Sequence, residues 1–269
     1  KKFEQWLMNC EADGHKRLIN DAAIINIGIN KDRWLGPLQE NFGTIDSKEG
    51  SITPSIFIKP DSQAKTLQQI LETHVKESEK SLWSGDIVIK PISSADGDNT
   101  YLLVRNGEGR ELNEGFVRDI KDADVLIEQI LTSENSNGLI VQPYIPAVDE
   151  KGEYQVIFFA GEFSHAILKP KGFKNMSTAQ RKVLEKEDLP ENMYEFAKKI
   201  VDFFVKYTNS VITRARVDFF LGEKGPILCE LELIEPLVNL CIMDSEKQEI
   251  VAKNYAKAII NRTKELRSL

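Results

Sequence analysis

The stretch RARVDFFLGEKGPILCELEL, residues 214–233, carries the strongest fold signal in the sequence. Two runs rich in apolar, β-branched and aromatic residues, 212–221 and 226–233, flank the short polar turn GEKG. This arrangement is typical of a β-hairpin. The sequence therefore predicts two antiparallel strands at this point of the chain.

The polar residues of this hairpin alternate with apolar ones, and residues i and i+2 of a strand share a face. Arg216 and Asp218 therefore point together on one strand, and Glu230 and Glu232 point together on the other. Three carboxylates that converge are costly unless a cation neutralises them, and hard oxygen ligands suit Mg²⁺. The alternative is a solvated hairpin face with cross-strand ion pairs. We favour the metal site because the hairpin already has an apolar, core-facing side, made of Phe219, Ile227, Cys229 and Leu231.

Outward from the hairpin, hydrophobic periodicity predicts an α+β chain with mostly antiparallel pairs. Further strands are predicted at 22–29, 86–90, 101–104 and 138–145, and a second hairpin is predicted over 153–161 and 162–169, turning near Gly161. Helices are predicted within 61–80 after Asp61 as N-cap, over about 122–133, over 191–208, and from Ser245 with Gln248 completing a capping box. The proline-rich linker QPYIP divides a small lobe from a second lobe, and a small ligand is expected in the cleft between them.

The segment IVIKPISSADGDNT, residues 87–100, places Lys90 at the end of a buried strand, before a small polar loop. Short side chains let backbone N–H groups approach phosphate oxygens, while a lysine supplies a point charge. Taken alone, the pattern favours a simpler interpretation, in which Lys90 extends its charge to solvent from a strand end.

The segment VQPYIPAVDEKGEYQV, residues 141–156, passes from an apolar strand through prolines to Glu153 at the start of the next strand. Backbone groups of such a linker can bind an adenine edge, and a nearby carboxylate can accept ribose hydroxyls. By itself the segment is better interpreted as a surface linker.

Together these segments resemble the ATP-grasp family, which includes glutathione synthetase, D-alanine–D-alanine ligase and a cycloserine-forming cyclo-ligase. The resemblance rests on the order of lysine strand, loop, linker with acid and D…E-x-E hairpin, and on GEYQ (152–155), GEFSHA (161–166) and ELELIEP (230–236). It extends over nearly the whole chain. It implies an ATP-grasp fold of two α+β lobes with the nucleotide in the cleft between them.

The resemblance also implies roles for individual residues. Lys90 would hold phosphates and take part in catalysis together with Arg216, which would stabilise the charge developing on the reacting carboxylate. Asp218, Glu230 and Glu232 would bind Mg²⁺. The remaining ATP contacts would be Lys31 or Arg33, Ser94 of the loop 93–99 that closes over the site, Gln142, Tyr144, Ile145, Glu153 and Lys169.

The chain departs from the family pattern in three places. Little of an N-terminal lobe precedes Phe3, so residues 1–50 are expected to be a remnant of that domain, with the small lobe at 51–145 and the second lobe at 146–269. Arg33 rather than lysine fills the first basic position. A glycine pair is replaced by KGFKNMSTAQRK, residues 171–182.

Composition limits the partners of this chain. A net charge of −7 disfavours binding to nucleic acid, and no apolar run approaches the roughly 20 residues that span a bilayer. Three cysteines without a CxxC pair fit the reducing cytoplasm. The sequence does not decide whether the protein forms a homodimer.

The expected function is an ATP-dependent, ADP-forming ligase that activates a small-molecule carboxylate as an acylphosphate for attack by an amine-type nucleophile. Two alternatives stay open. The first is an ATP-binding module without ligase activity, and the second is an α+β scaffold for protein interaction with no ATP site.

Overall fold

A computed structural model of the protein describes residues 2–12, 18–44, 46–94, 99–105, 116–117, 120–169 and 181–268. The helices are α1 Lys2–Ala12, α2 Ala22–Ile29, α3 Asp32–Phe42, α4 Leu67–His74, α5 Ile120–Thr132, α6 Ala147–Lys151, α7 Met193–Thr208 and α8 Ser245–Ser268. The strands are β1 Ser51–Ile52, β2 Ile56–Ile58, β3 Ile87–Pro91, β4 Tyr101–Leu103, β5 Phe116–Val117, β6 Leu139–Pro143, β7 Glu153–Phe159, β8 Glu162–Lys169, β9 Lys182–Leu184, β10 Arg214–Leu221 and β11 Pro226–Glu232.

The chain divides into two compact units, and it crosses between them four times, the last time at Ile145/Pro146. Unit 1 contains residues 1–28, 41–52 and 146–269, and unit 2 contains residues 29–40 and 53–145. The first fifty residues are thus shared between both units. That they are the remnant of a longer N-terminal domain stays a prediction.

Unit 1 is built on a six-stranded sheet in the order β1-β11-β10-β7-β8-β9, antiparallel except for the parallel pair β1–β11. The alternation of side chains gives the sheet two different faces. On one face, Phe219 packs against Phe196 of α7, with ring centroids 5.8 Å apart. On the other face, the ring of Phe159 stacks on Tyr255 of α8 at 4.8 Å. Both faces of this sheet are therefore covered by a helix.

Unit 2 is built on a five-stranded sheet in the order β2-β6-β3-β4-β5, antiparallel except for β4–β5. The face of this sheet that carries Ile87 and Ile89 packs with α4 and α5 in one apolar cluster. Val88 and Lys90 alternate with these residues and lie on the opposite face.

Both predicted hairpins are confirmed. β7 and β8 turn through Ala160 and Gly161, and β10 pairs with β11. The strands predicted around 86–90, 101–104 and 138–145 and the helices predicted over about 122–133 and 191–208 are also present, with bounds that differ by up to two residues.

The prediction of a strand at 22–29 is wrong, because these residues form α2. A short run that is apolar except for Asn26 fits a buried strand and a buried helix equally well. The helix packs closely, since a Cβ added at Gly28 would lie 3.0 Å from Ile234. Tertiary packing decides the conformation here.

Two predicted helix caps are also wrong. α4 begins at Leu67, and Thr66 rather than Asp61 caps it in a reciprocal capping box with Gln69. At α8, the side chain of Asp244 accepts from the Lys247 backbone N–H at 2.8 Å, so the cap lies one residue before Ser245. In both cases several residues with cap-forming side chains lie close together in sequence.

A β-bulge between Asp218 and Phe219 changes the expected faces of the hairpin. Phe219 lies opposite Leu228, so Leu228 rather than Ile227 shares its face. The extra residue on β11 is Cys229, which is half-buried instead of facing the core as predicted, and its Sγ lies 3.2 Å from the Asp218 carbonyl oxygen.

Candidate functional site

A buried ion pair occupies the middle of β10 in unit 1. Arg216 Nε donates to both carboxylate oxygens of Asp218, at 2.9 Å and 3.0 Å, and Arg216 Nη2 donates to Oδ2 at 2.8 Å. Asp218 is fully buried, and only 13% of the Arg216 side chain is exposed. The i, i+2 spacing predicted that these side chains share a face, and the structure brings them into direct contact.

The neighbouring strand adds a second carboxylate. Glu230 lies directly opposite Asp218 in the β10–β11 register, and its Oε2 is 3.8 Å from Arg216 Nη2. Because 41% of the Glu230 side chain is exposed, this carboxylate can still reach a ligand.

Glu232 does not join the other two carboxylates. It lies opposite Arg216 in the register, but its Oε1 accepts from the backbone N–H groups of Ile234 at 2.8 Å and Glu235 at 3.2 Å. Within the described residues, no three His, Cys, Asp or Glu side chains lie close enough together to hold a metal ion. The expected convergence of three carboxylates is therefore not found, and a metal role for Glu232 stays a prediction.

The electrostatics of the pair follow from burial and from an excess of acidic groups. Burial raises the pKa of Asp218 to about 7, with help from the charges of Glu153 and Glu230, although the guanidinium of Arg216 opposes the rise. Burial lowers the pKa of Arg216, but the carboxylates of Asp218, Glu230 and Glu153 outweigh it and raise the pKa overall. One guanidinium thus interacts with three carboxylates, so the site has more negative than positive charge.

The donor set fits a small hard cation. Asp218 and Glu230 present carboxylate oxygens from paired positions, and each oxygen that accepts from Arg216 has a second lone pair. Mg²⁺ is commonly held by one or two carboxylates together with substrate phosphates. Two carboxylates are therefore a sufficient protein contribution.

A polar network extends from this pair across β7 and β8. Gln155 lies opposite Asp218 in the β7–β10 register, and its Nε2 donates to Glu153 Oε1 at 2.8 Å. Lys169 Nζ lies 3.4 Å from the other oxygen of Glu153. The two predicted cofactor residues Glu153 and Lys169 are thus brought together on the same face as Asp218.

Asn239 is a member of this network that the sequence did not reveal. It is 2% exposed, has a left-handed backbone with φ of 54°, and donates from Nδ2 to Gln155 Oε1 at 3.3 Å. The only signal available was its place three residues beyond ELELIEP, and a single asparagine there is most simply a turn residue.

In unit 2, the predicted basic residue Lys31 meets the predicted loop residue Ser94. Lys31 Nζ donates to the Ser94 carbonyl oxygen at 2.5 Å and to Ser94 Oγ at 3.3 Å, and Lys31 is 9% exposed. Arg33 lies two residues further on, at the start of α3, with its guanidinium 3.2 Å from the Asn30 side-chain amide. Residues 95–98 of the predicted closing loop and 171–180 of the altered glycine loop lie outside the described residues.

The remaining predicted residues of unit 2 lie on β3, on β6 and just after β6. Lys90 is half-buried on β3, opposite Ile140. Gln142 is buried and donates from Nε2 to Ser55 Oγ at 2.7 Å. Tyr144 is also buried, and its backbone N–H donates to the Asp86 carbonyl oxygen at 2.8 Å, while Ile145 is half-buried. The side-chain amide of Gln142 is thus engaged within the unit.

No protein-family model matches the sequence. The chain is 29% identical over 136 residues to the cycloserine biosynthesis protein DcsG of Streptomyces lavendulae, a match that spans 48% of this chain and 44% of the relative. A crystal structure of D-cycloserine synthetase DcsG superposes with a TM-score of 0.70 at 21% identity, over 96% of this chain and 80% of that one. For the D-alanine–D-alanine ligase from Bacillus anthracis complexed with ATP, the TM-score is 0.55 at 14% identity, over 91% and 71% of the two chains.

These likenesses define the class of fold. The protein has the mixed α+β ATP-grasp fold that the sequence resemblance predicted. Its sequence is similar to that of DcsG over about half of the chain, and the matched segment is less than half of that relative's length. None of the described helices combines the length and apolar character needed to cross a membrane.

Proposed function

We propose that this protein is an ATP-dependent, ADP-forming carboxylate–amine ligase. The observation that carries the proposal is the buried Arg216–Asp218 pair with Glu230 opposite, on the central strands of a fold shared with an ATP-bound ligase. Two paired carboxylates that are short of positive charge, of which Asp218 is fully buried, fit Mg²⁺–ATP better than a purely structural role.

Each unit carries residues that would contact ATP. Unit 2 would supply Lys31, Arg33, Lys90, Ser94, Gln142, Tyr144 and Ile145, and unit 1 would supply Glu153 and Lys169. Lysines act as point charges for phosphate oxygens, and Lys31 already lies against the Ser94 carbonyl oxygen. Gln142 Nε2 donates to Ser55 Oγ, so Gln142 would line the ATP site without donating its side-chain amide to the nucleotide.

Asp218 and Glu230 would hold Mg²⁺, with Glu232 joining after its carboxylate leaves the backbone N–H groups of Ile234 and Glu235. A bound Mg²⁺ would neutralise phosphate oxygens during transfer to a carboxylate. Arg216 would keep Asp218 ionised and fixed, and its guanidinium would stabilise the negative charge that develops on the reacting carboxylate.

The substrates would be a small-molecule carboxylate and an amine-type nucleophile. An acylphosphate would form first and then react with the amine to give an amide and phosphate. In such chemistry the protein contributes position and charge neutralisation instead of a covalent nucleophile. The named activities of the relatives, D-cycloserine synthesis and D-alanine–D-alanine ligation, are consistent with a substrate that resembles an amino acid.

One observation favours a second candidate, an ATP-binding module without ligase activity. The Glu232 carboxylate accepts hydrogen bonds from the backbone N–H groups of Ile234 and Glu235. The candidate metal site therefore has two convergent carboxylates where the sequence predicted three. A weaker metal site could bind nucleotide without supporting phosphoryl transfer.

The two candidates are separated by trapping the intermediate. Protein, Mg²⁺–ATP and a panel of amino acids are incubated with hydroxylamine, which converts an acylphosphate to a hydroxamate. A ligase gives ADP and hydroxamate in equal amounts with at least one acid, and Arg216→Met lowers the rate at least ~100-fold. ATP binding without ADP formation for any acid supports the module instead.

A further inference from the structure

Arg181 is a cation of unit 1 that the proposed ATP and metal contacts do not use. It directly precedes β9, whose register pairs Leu168 with Lys182, so Arg181 continues that register opposite Lys169. It therefore lies at the edge of the sheet, next to the polar network of Lys169 and Glu153.

The hydrogen bonds of Arg181 leave one edge of its guanidinium without a partner among the described residues. Nη1 donates to Asn239 Oδ1, whereas Nε is buried and makes no hydrogen bond to any of the described residues. The Nε–Nη2 edge is the planar fork that matches the two oxygens of a carboxylate. Arg216 uses this same edge to hold Asp218, so the described part of the protein contains one such edge with a carboxylate partner and one without.

The charge of Arg181 is also uncompensated within the part of the chain that the structure describes. Lys169 has Glu153 as its partner at 3.4 Å, but Arg181 makes no ion pair with any described carboxylate. The segment PKGFKNMSTAQ, residues 170–180, which precedes it, contains no Asp or Glu. A half-buried guanidinium without a counter-ion favours binding of an anion.

Asn239 fixes the direction of this unpartnered edge. Its amide is oriented by donation from Nδ2 to Gln155 Oε1 at 3.3 Å and to the Leu237 carbonyl oxygen at 3.4 Å, which turns Oδ1 towards Arg181. Because Asn239 is 2% exposed, this orientation is set by the interior of the unit. Asn239 is thus a positioning residue for Arg181.

We propose that the Nε–Nη2 edge of Arg181, aimed by Asn239, binds a carboxylate group of the small-molecule substrate. This deepens the proposed function and rests on it for the identification of the anion as a substrate. The unpartnered Nε–Nη2 edge, and the absence of a counter-ion for Arg181 among the described residues, both indicate an oxyanion ligand.

The test follows the Nε–Hε signal of Arg181 in side-chain ¹H–¹⁵N spectra of the whole protein. The signal is assigned by its loss in Arg181→Lys, and sodium acetate is the probe. Sodium chloride at matched ionic strength and inorganic phosphate are the comparison titrations. Arg214, whose Nη2 donates to the Ile234 carbonyl oxygen at 3.3 Å, serves as an internal control on the same sheet.

We expect a saturable downfield shift of the Arg181 signal with acetate, at least threefold tighter than with phosphate, and no saturable shift with chloride or at Arg214. Tighter binding of phosphate would overturn the carboxylate assignment in favour of a phosphoryl group. No saturable shift with either anion would make Arg181 a structural support for Asn239. ATP binding is measured on the same sample, so loss of the ATP function and loss of the anion site are separate results.

Discussion

At the scale of single residues, a substitution of Glu230 distinguishes a metal site from an ion-pair network. Three carboxylates, including Asp218 and Glu153, act on the one guanidinium of Arg216. We predict that Glu230→Gln leaves the stability of the free protein unchanged or raised, because like charges are relieved. Affinity for Mg²⁺–ATP should fall at least ~10-fold, a loss of about 1.4 kcal/mol, in calorimetric titrations.

Glu235→Gln is the matched control, since Glu235 is an exposed acid on the same segment. It should change neither quantity. If Glu230→Gln lowered the stability and kept full affinity for Mg²⁺–ATP, the 3.8 Å contact with Arg216 would be the role of Glu230.

His165 makes stability depend on pH. It is fully buried, and its ring nitrogens bond to Ser164 Oγ and to the Val238 carbonyl oxygen, both at 2.9 Å. Burial lowers the pKa of His165 to about 4, although the bond to Val238 opposes this. Below its unfolded pKa of about 6.5 the unfolded chain binds the extra proton, so folding free energy is lost as pH falls from there towards 4.

Urea unfolding at pH 7.5 and pH 4.5 measures this contribution, which is roughly 3 kcal/mol at most. His165→Gln should lose less stability than the wild type between the two pH values. His74→Gln, at an exposed helix position, should keep the wild-type dependence. If the stability of His165→Gln depended on pH as that of the wild type does, His165 would not be the cause of this dependence.

The site could be predicted from the sequence only where local spacing fixes a side chain. The closeness of Arg216, Asp218 and Glu230 was predictable because strand alternation and the hairpin determine their neighbours. The direction of the Glu232 carboxylate depends on the turn that follows, at Ile234 and Glu235, which alternation does not describe. Networks between distant parts of the chain, such as that of Asn239, leave no local pattern in the sequence.

At the scale of elements, a capping box stabilises the N-terminus of α4. Thr66 Oγ1 accepts from the Gln69 backbone N–H at 3.3 Å, while Gln69 Oε1 accepts from the Thr66 backbone N–H at 3.3 Å. Thr66→Ala should lower the free energy of unfolding by about 1 kcal/mol. Thr73→Ala, in the same helix but exposed, should have almost no effect, because alanine's helix propensity offsets the lost bond to the Gln69 carbonyl. Equal effects would mean that the cap does not stabilise the helix.

Asn20 joins the segment before α2 to the β10–β11 hairpin. Its Nδ2 donates to the carbonyl oxygens of Arg214 at 2.9 Å and Leu233 at 2.7 Å, and its Oδ1 accepts from the Thr213 backbone N–H at 2.7 Å. Asn20→Ala would leave these buried backbone groups without partners. We predict a loss of roughly 2–4 kcal/mol in denaturant unfolding.

Asn9→Ala removes an exposed asparagine of α1 and should change the stability by less than ~0.5 kcal/mol. A similarly small effect for Asn20→Ala would mean that water replaces the lost bonds.

Elements with strong alternation or strong helical periodicity were predictable, and short apolar runs were not. β10 and β11 alternate charged and apolar residues and are bounded by a glycine-containing turn. The run at 22–29 has no polar residue except Asn26, so neither period is visible in it. The bulge at Cys229 left the strands in place and changed only which apolar residues share a face.

At the scale of the whole molecule, the sequence was sufficient for the fold class. Antiparallel hairpins and amphipathic helices in this order predict α+β architecture, and the family motifs predict ATP-grasp. The division of the first fifty residues between two units was not predictable, because it depends on contacts such as the pairing of Ser51 with Ile227. The proposed function requires that ATP and Mg²⁺ bind together.

Thermal unfolding of the protein with ATP and Mg²⁺, compared with ATP in EDTA, tests the central claim most directly. At a ligand concentration 100 times the Kd, binding adds about 2.7 kcal/mol and raises the unfolding midpoint. We predict this rise with ATP and Mg²⁺ together, no rise with ATP in EDTA, and its loss in Asp218→Asn. An equal rise in EDTA, or a full rise in Asp218→Asn, would contradict a metal-dependent ATP site at Asp218 and Glu230.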